Sequence, residues 1–167
     1  MEQELTNNVV KTALVFEGGA RRAADSSAVA AELLEQGVYF QHVYGVSAGS
    51  SLAVNYVSRD VYRTVASFTE FARMDDIGDW RTFLTHKGIF NAHHIYQEMG
   101  LPNGELPFDM QTFLANPAHI TIPAIERDTG RSRFFTKDDM HTLEQLMYCV
   151  HASSTIPVLM PPPHVQG

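Results

Sequence analysis

The chain of 167 residues is 44% hydrophobic and 19% charged with a net charge of −7, an ordinary globular composition that excludes a low-complexity tract, a fixed-period repeat and a disordered chain. Twelve basic residues scattered against 19 acidic ones leave no basic face for nucleic acid or for an anionic membrane held by charge. The one cysteine, Cys149, has no partner for an internal disulfide or a zinc knuckle, so a reducing compartment is expected, with Cys149 a small buried hydrophobe.

One domain over residues 1–167 is expected from the length. The acidic, polar start "MEQELTNNVV" is no secretory signal, and no window nears the roughly 18 apolar residues that span a bilayer. A cytoplasmic protein with at most peripheral lipid contact is expected. Thr12 to Phe16, "TALVF", reads as a buried parallel strand entering a turn at Gly18-Gly19. "DSSAVAAELLEQG" follows as a helix, its apolar stripe Ala28, Val29, Leu33 and Leu34 ending at the stop signal Gly37. "VYFQHVYGV" is a second strand, separated by the tight "SAG" from a helix running from Ala48 to about Ser58. Strand, helix, strand, helix implies a right-handed parallel unit.

"DVYRTVASFTEFARM" predicts a helix capped by Asp60 with Val61, Val65, Phe68 and Ala72 on one face. "DWRTFLTHKGIF" is a connector, and "NAHHIYQEMG" a helix from Asn91 to Gly100. Prolines 102, 107 and 117 punctuate a loop region around a short helix near Met110 to Leu114. "HITIPAIER" and "RSRFFT" form a hairpin about Asp128-Thr129-Gly130, with glycine at the positive-φ position. "DDMHTLEQLMYCVHASS" predicts one amphipathic helix with its acidic residues at the positive end of the helix dipole. The segment "TIPVLMPPPHVQG" has no room for another element, and the chain is expected to stop in mid-fold.

Two strand-to-helix junctions carry chemistry. In Gly45-Val46-Ser47-Ala48-Gly49 the glycines permit the sharp turn of a nucleophile elbow, and the free N–H groups of the next helix are aimed at the serine oxygen. In "EGGARRA", residues 17–23, Gly18 and Gly19 let backbone N–H groups converge on an anion. Arg21 and Arg22 beside a helix start call for compensation by Glu17, Asp25 or an anion at the site. "GGARRA" lacks the Lys-Ser/Thr ending of a P-loop and the third glycine of a dinucleotide fingerprint.

With "HASSTIPVLMPPP", residues 151–163, the two junctions resemble the patatin-like phospholipase family, in particular its bacterial cytoplasmic members. That family carries a G-G-G-x-R-G oxyanion loop, then G-x-S-x-G, then a catalytic Asp in D-G-G or D-G-A after an "ASSAIP" segment. The resemblance implies an α/β fold, a three-layer sandwich on a mostly parallel sheet, and a Ser-Asp dyad acting on lipid esters without metal or organic cofactor. It implies Ser47 as nucleophile, Gly45 and Gly49 as elbow residues, Gly18, Gly19, Ala20 and the Ala48 amide as oxyanion hole, and Arg22 as an anion- or substrate-binding residue.

Ala20 and Ala23 stand where the family has glycine, and a positive φ at Ala20 would cost about 1 kcal/mol or more. The sequence contains no Asp-Gly dipeptide, so the dyad's Asp is expected beyond the chain end. The nine Asp residues present fall in caps, loops or turns. His93-His94, adjacent on a helix, cannot chelate one metal together, and His151 and His164 are the better stand-ins for a base. Three readings stay open: a serine acyl hydrolase, an impaired lipid- or acyl-binding remnant, and an α/β-hydrolase with a Ser, Asp, His triad in that order. Against the third, the glycine loop lies too close before the serine. Missing strands would leave an open sheet edge prone to self-association.

Overall fold

The computed structural model describes residues 5–70, 98–157, 160 and 162–163. Its sheet holds four strands in the order β1-β2-β3-β4, namely Val9–Phe16, Phe40–Gly45, His119–Ile125 and Ser132–Phe135. The first three run parallel and β4 returns antiparallel to β3. After a 3₁₀ turn at Ala20–Arg22 come α1 (Ala23–Glu35) and, beyond β2, α2 (Ala48–Val57) and α3 (Val61–Ala66). The helices α4 (Met110–Ala115) and α5 (Leu143–Ser154) flank the β3–β4 hairpin. The architecture is the expected mixed α/β fold with a mostly parallel sheet.

Register explains where the core sits. Leu14, Val43 and Ile120 stand abreast in one row, and Ala13, His42 and His119 in the next, pointing to the opposite face. Val43 and Ile120 are buried, together with Phe16, Ile122 and Phe135, in one cluster with α2 and α5. Helix α2 is buried at eight of its ten positions, Gly49, Ser50 and Leu52 to Val57, as an inner helix apolar on most sides must be. The other face of the sheet is open: Val15 and Ile125 are 67% and 74% exposed, and Tyr44 and Phe134 are exposed beside them.

That open face corrects the first strand. "TALVF" was expected to be a buried parallel strand, but β1 starts at Val9, pairs on one side only among the described residues and leaves Val10 and Val15 exposed. Its apolar run reflects one covered face and one bare one. Helix α3 also departs from expectation. Asp60 caps it by accepting from the Arg63 amide at 2.8 Å, but its buried residues are Arg63, Thr64 and Ala66, while Val61, Val65 and Phe68 are half-buried. The Arg63 guanidinium is pulled inside by polar partners, donating to Asn55 Oδ1 at 2.9 Å and to the Leu106 carbonyl. Burial lowers its pKa to about 10.

The predicted single helix from Asp138 is two elements. Lys137–Asp139 is a 3₁₀ turn closed by a Thr136/Asp139 capping box, and α5 starts only after Thr142, whose own box with Gln145 sets its first turn. The hairpin turn is as expected, with Gly130 at φ 69°. The connector at 79–90, the helix opening at Asn91, Ala72, the His93-His94 pair and His164 lie outside the described residues.

Candidate active site

A serine that begins a helix ordinarily caps it, its oxygen accepting from the second or third amide of the first turn. Ser47 occupies the N-cap of α2 but makes no such bond, because its backbone is held at φ 55°, ψ −128°. Positive φ is costly for a residue with a side chain. What holds it is a set of backbone bonds: Val46 N–H donates to the Phe16 carbonyl at 3.2 Å, and the Ser50 amide and hydroxyl donate to the Ser47 carbonyl at 2.8 and 2.6 Å. Among the described residues the Ser47 hydroxyl has no hydrogen-bond partner. It is half-buried, within reach of an incoming molecule.

The two elbow glycines are required by close approach. A Cβ on Gly45 would collide with the Gly49 carbonyl and lie 2.7 Å from Ala53 Cβ; one on Gly49 would collide with the Phe16 carbonyl and lie 2.6 Å from that of Glu17. The N-terminus of α2 is thereby pressed against the end of β1. This brings the second junction to the first: a Cβ on Gly18 would sit 3.1 Å from Ser47 Cβ and 3.7 Å from its Oγ. Two loops 29 positions apart, Gly18 and Ser47, thus meet at one point.

Along that loop Gly19 lies at φ 158°, which glycine adopts freely, and Ala20 at the costly φ of 48°. Ala20 therefore has the positive φ that the sequence left conditional. Among the described residues the amides of Gly18, Gly19, Ala20 and Ala48 make no hydrogen bond. Unpaired N–H groups beside an unpaired hydroxyl can bind an oxyanion formed on an acyl group attached to that hydroxyl. The other alanine departure is benign locally, since Ala23 is packed in the core at the start of α1.

Arg22 donates its amide to the Gly19 carbonyl at 3.0 Å, and its guanidinium folds over Gly19, with Nε 3.2 Å from where a Cβ would be. The expected compensation by Glu17 or Asp25 is not found: both arginines are exposed, and neither makes an ion pair among the described residues.

The glycine loop, the Gly45-Val46-Ser47-Ala48-Gly49 elbow and the "HASSTIPVLMPPP" segment are the features on which the resemblance rests, and the patatin-like phospholipase family model matches residues 14–167. The chain belongs to the patatin-like phospholipase family. No curated protein matches it. Membership of this family places the chain among lipid acyl hydrolases at the level of class, and both junctions and the "HASSTIP" segment lie within the matched span.

Sequence reasoning overlooked one residue that touches the elbow. Ser153, at the C-terminal end of α5, accepts from the Ser47 amide at 3.0 Å and donates to the Pro123 carbonyl at 2.6 Å. Its only signal was its place in the quoted "HASSTIP" segment. His151, a suggested stand-in base, is buried on the same helix and lines a cavity of about 250 Å³ with Gly100, Leu101, Leu143, Met147 and Tyr148. No residue of either junction lines that cavity. Among the described residues no three His, Cys, Asp or Glu side chains gather to hold a metal. Cys149 is buried on α5, and burial pushes its thiol up to about 12.

Proposed function

We propose that this protein is a phospholipase A-type serine acyl hydrolase in which Ser47 attacks the carbonyl of a lipid ester. The observation that carries the reading is the strained Ser47, its hydroxyl uncommitted and set against Gly18. The tetrahedral oxyanion rests on amides of Gly18 to Ala20 and of Ala48, the Arg22 guanidinium faces the anionic part of the substrate, and water releases the acyl enzyme. The proton acceptor is an Asp in a Ser-Asp dyad. We place that Asp outside residues 1–167, because the sequence has no Asp-Gly dipeptide and, among the described residues, no carboxylate hydrogen-bonds to Ser47.

The test is labelling of Ser47 by a fluorophosphonate, located by peptide mass, followed by hydrolysis of a short-chain p-nitrophenyl ester with and without Ser47→Ala. Labelling and turnover that both vanish in Ser47→Ala support the reading. An unlabelled Ser47 that still lies beside a bound fatty acid or phospholipid would favour the second reading, a lipid-binding remnant, for which Ala20 at φ 48° is the specific support. Loss of one member of the catalytic unit costs on the order of 10⁴-fold or more, so labelling is the more sensitive assay.

We further propose a cytoplasmic location with peripheral lipid contact and self-association along the β1 edge. Self-association is supported by the exposure of Val10 and Val15 on a strand that, among the described residues, pairs on one side only. Sedimentation over a hundredfold concentration range checks it, and a monomer throughout rejects self-association.

A further inference from the structure

Ser153 lies 106 positions from Ser47, yet its hydroxyl ties the elbow to β3, accepting from Ser47 and donating to Pro123. A carbonyl can only accept, so the Ser153 O–H points to Pro123, at 2.6 Å, and a lone pair is left to take the Ser47 N–H, at 3.0 Å. The β2–β3 pairing runs from His42 with His119 to Tyr44 with Thr121. Past that rung, β2 turns away into the elbow. The bond that would otherwise join the strands is made through one interposed oxygen: Ser47 N–H to Ser153 Oγ, and Ser153 O–H to the Pro123 carbonyl.

We propose that Ser153 is a positioning residue for the reaction proposed at Ser47: it fixes the amide of the strained serine and removes that amide from the oxyanion hole. Three consequences follow from the geometry. The Ser47 N–H is engaged, so the elbow's contribution to the hole comes from Ala48, whose amide is not. The peptide plane at Ser47 cannot rotate toward an ordinary N-cap geometry without breaking this bond, so the Oγ stays out of the helix. And the end of α5 becomes a mechanical support of the nucleophile, which gives the "HASSTIP" segment a task on this chain. The neighbour Ser154 provides an internal control. Ser154 is 8% exposed and its buried hydroxyl has no hydrogen-bond partner among the described residues, so a serine at that position supplies none of the elbow's bonds.

The inference rests on the reading of Ser47 as nucleophile, and its test separates the two. In the unaltered chain, amide exchange and the ¹⁵N resonance of Ser47 report the bond directly. A residue opening a helix is ordinarily unprotected; here Ser47 should be protected and lose protection in Ser153→Ala, with Ser153→Thr retaining it. Fluorophosphonate labelling of Ser47 should slow about 10- to 100-fold in Ser153→Ala through the rate of bond formation rather than the affinity of the reagent, the size expected for a nucleophile displaced by a fraction of an ångström to 1 Å. Ser153→Thr should recover most of that rate, and Ser154→Ala should label as the parent does. An unprotected Ser47 amide in the parent chain overturns the proposal without any variant. So does a Ser154→Ala chain that loses as much labelling as Ser153→Ala. If the parent is protected at Ser47 but never labelled, the hydrolase reading falls while the Ser153 support stands.

Discussion

Replacing Gly49 by alanine tests the packing that brings the two loops together. Its methyl would lie 2.6 Å from the Glu17 carbonyl oxygen and closer to that of Phe16. Restoring an ordinary contact near 3.4 Å with the nearer Phe16 carbonyl moves the end of β1 by about 1.2 Å from α2, and the obstacle is backbone, which has no rotamer to escape into. Overpacking costs 1–3 kcal/mol, and a rigid obstacle puts this case near the top, about 3 kcal/mol. The matched control is Gly37→Ala, where φ is +68° but nothing lies within 4 Å of the added methyl. Left-handed strain of 1–2 kcal/mol, less the 0.4–1 kcal/mol gained by restricting the unfolded chain, leaves about 1 kcal/mol there. Urea denaturation of the three chains at equal concentration measures both, and a thermal scan should show Gly49→Ala lower by about 6–12 °C, at 2–4 °C per kcal/mol for a chain of this size. A Gly49→Ala chain no less stable than Gly37→Ala would refute the claim that the elbow is jammed against β1, and with it the placement of Gly18 beside Ser47.

Gly18→Ala should separate site from fold: Gly18 is not at positive φ, so stability should fall by less than about 1.5 kcal/mol, while a methyl 3.1 Å from Ser47 Cβ should push the nucleophile by a few tenths of an ångström and slow fluorophosphonate labelling about 10- to 100-fold. Ala20→Gly, at φ 48°, should leave stability within about 1 kcal/mol of the parent or raise it, with faster labelling; slower labelling would show that the alanine is not a handicap to the loop. Cys149, pushed up to about 12 by burial, should resist iodoacetamide at pH 8 until the chain is unfolded. Because its folded pKa lies above the ordinary thiol value, the folded state binds more protons between about 9 and 12, and stability should fall as pH rises through that window. Cys149→Ala should remove that part of the alkaline decline, as urea titrations at pH 8 and 10 would show.

The elements carrying the site were legible because local backbone rules create them. The turn residues Gly45 and Gly49 and the runs on either side predicted a strand, elbow and helix at Ser47, and Gly130 marked the hairpin. The errors fall where a partner distant in sequence decides. Nothing local says that β1 has one bare face, since a short apolar run looks the same on an edge as in the middle of a sheet. Nothing local says that Arg63 is buried while Val65 is only half covered; Asn55 and Leu106 O decide that. The break before α5 was readable in principle, from Thr142 and Gln145 at capping-box spacing, but the acidic pair Asp138-Asp139 offered a competing start. Ser153 lay in a quoted motif without a task, because its partners are 106 and 30 positions away.

Strain gives the strongest structural argument for where the chemistry lies. Among the described residues three non-glycine residues have positive φ: Ala20, Ser47 and Arg59. Arg59 is accounted for by the fold. It follows the C-cap of α2, its amide bonds to the Tyr56 carbonyl at 3.0 Å, and its side chain stacks 3.8 Å above Tyr39 and ties down Thr6 O, which is the left-handed termination many helices use. No such structural task explains the other two. A glycine at 20 would relieve the loop, and an ordinary N-cap conformation at 47 would give α2 a hydrogen bond worth about 1 kcal/mol. Instead both residues hold costly backbones, of order 1–3 kcal/mol each, at the two loops that meet where Gly18 faces Ser47. Among the described residues that leaves a hydroxyl and several amides unpaired where the two loops meet, the arrangement that the proposed acyl transfer would use.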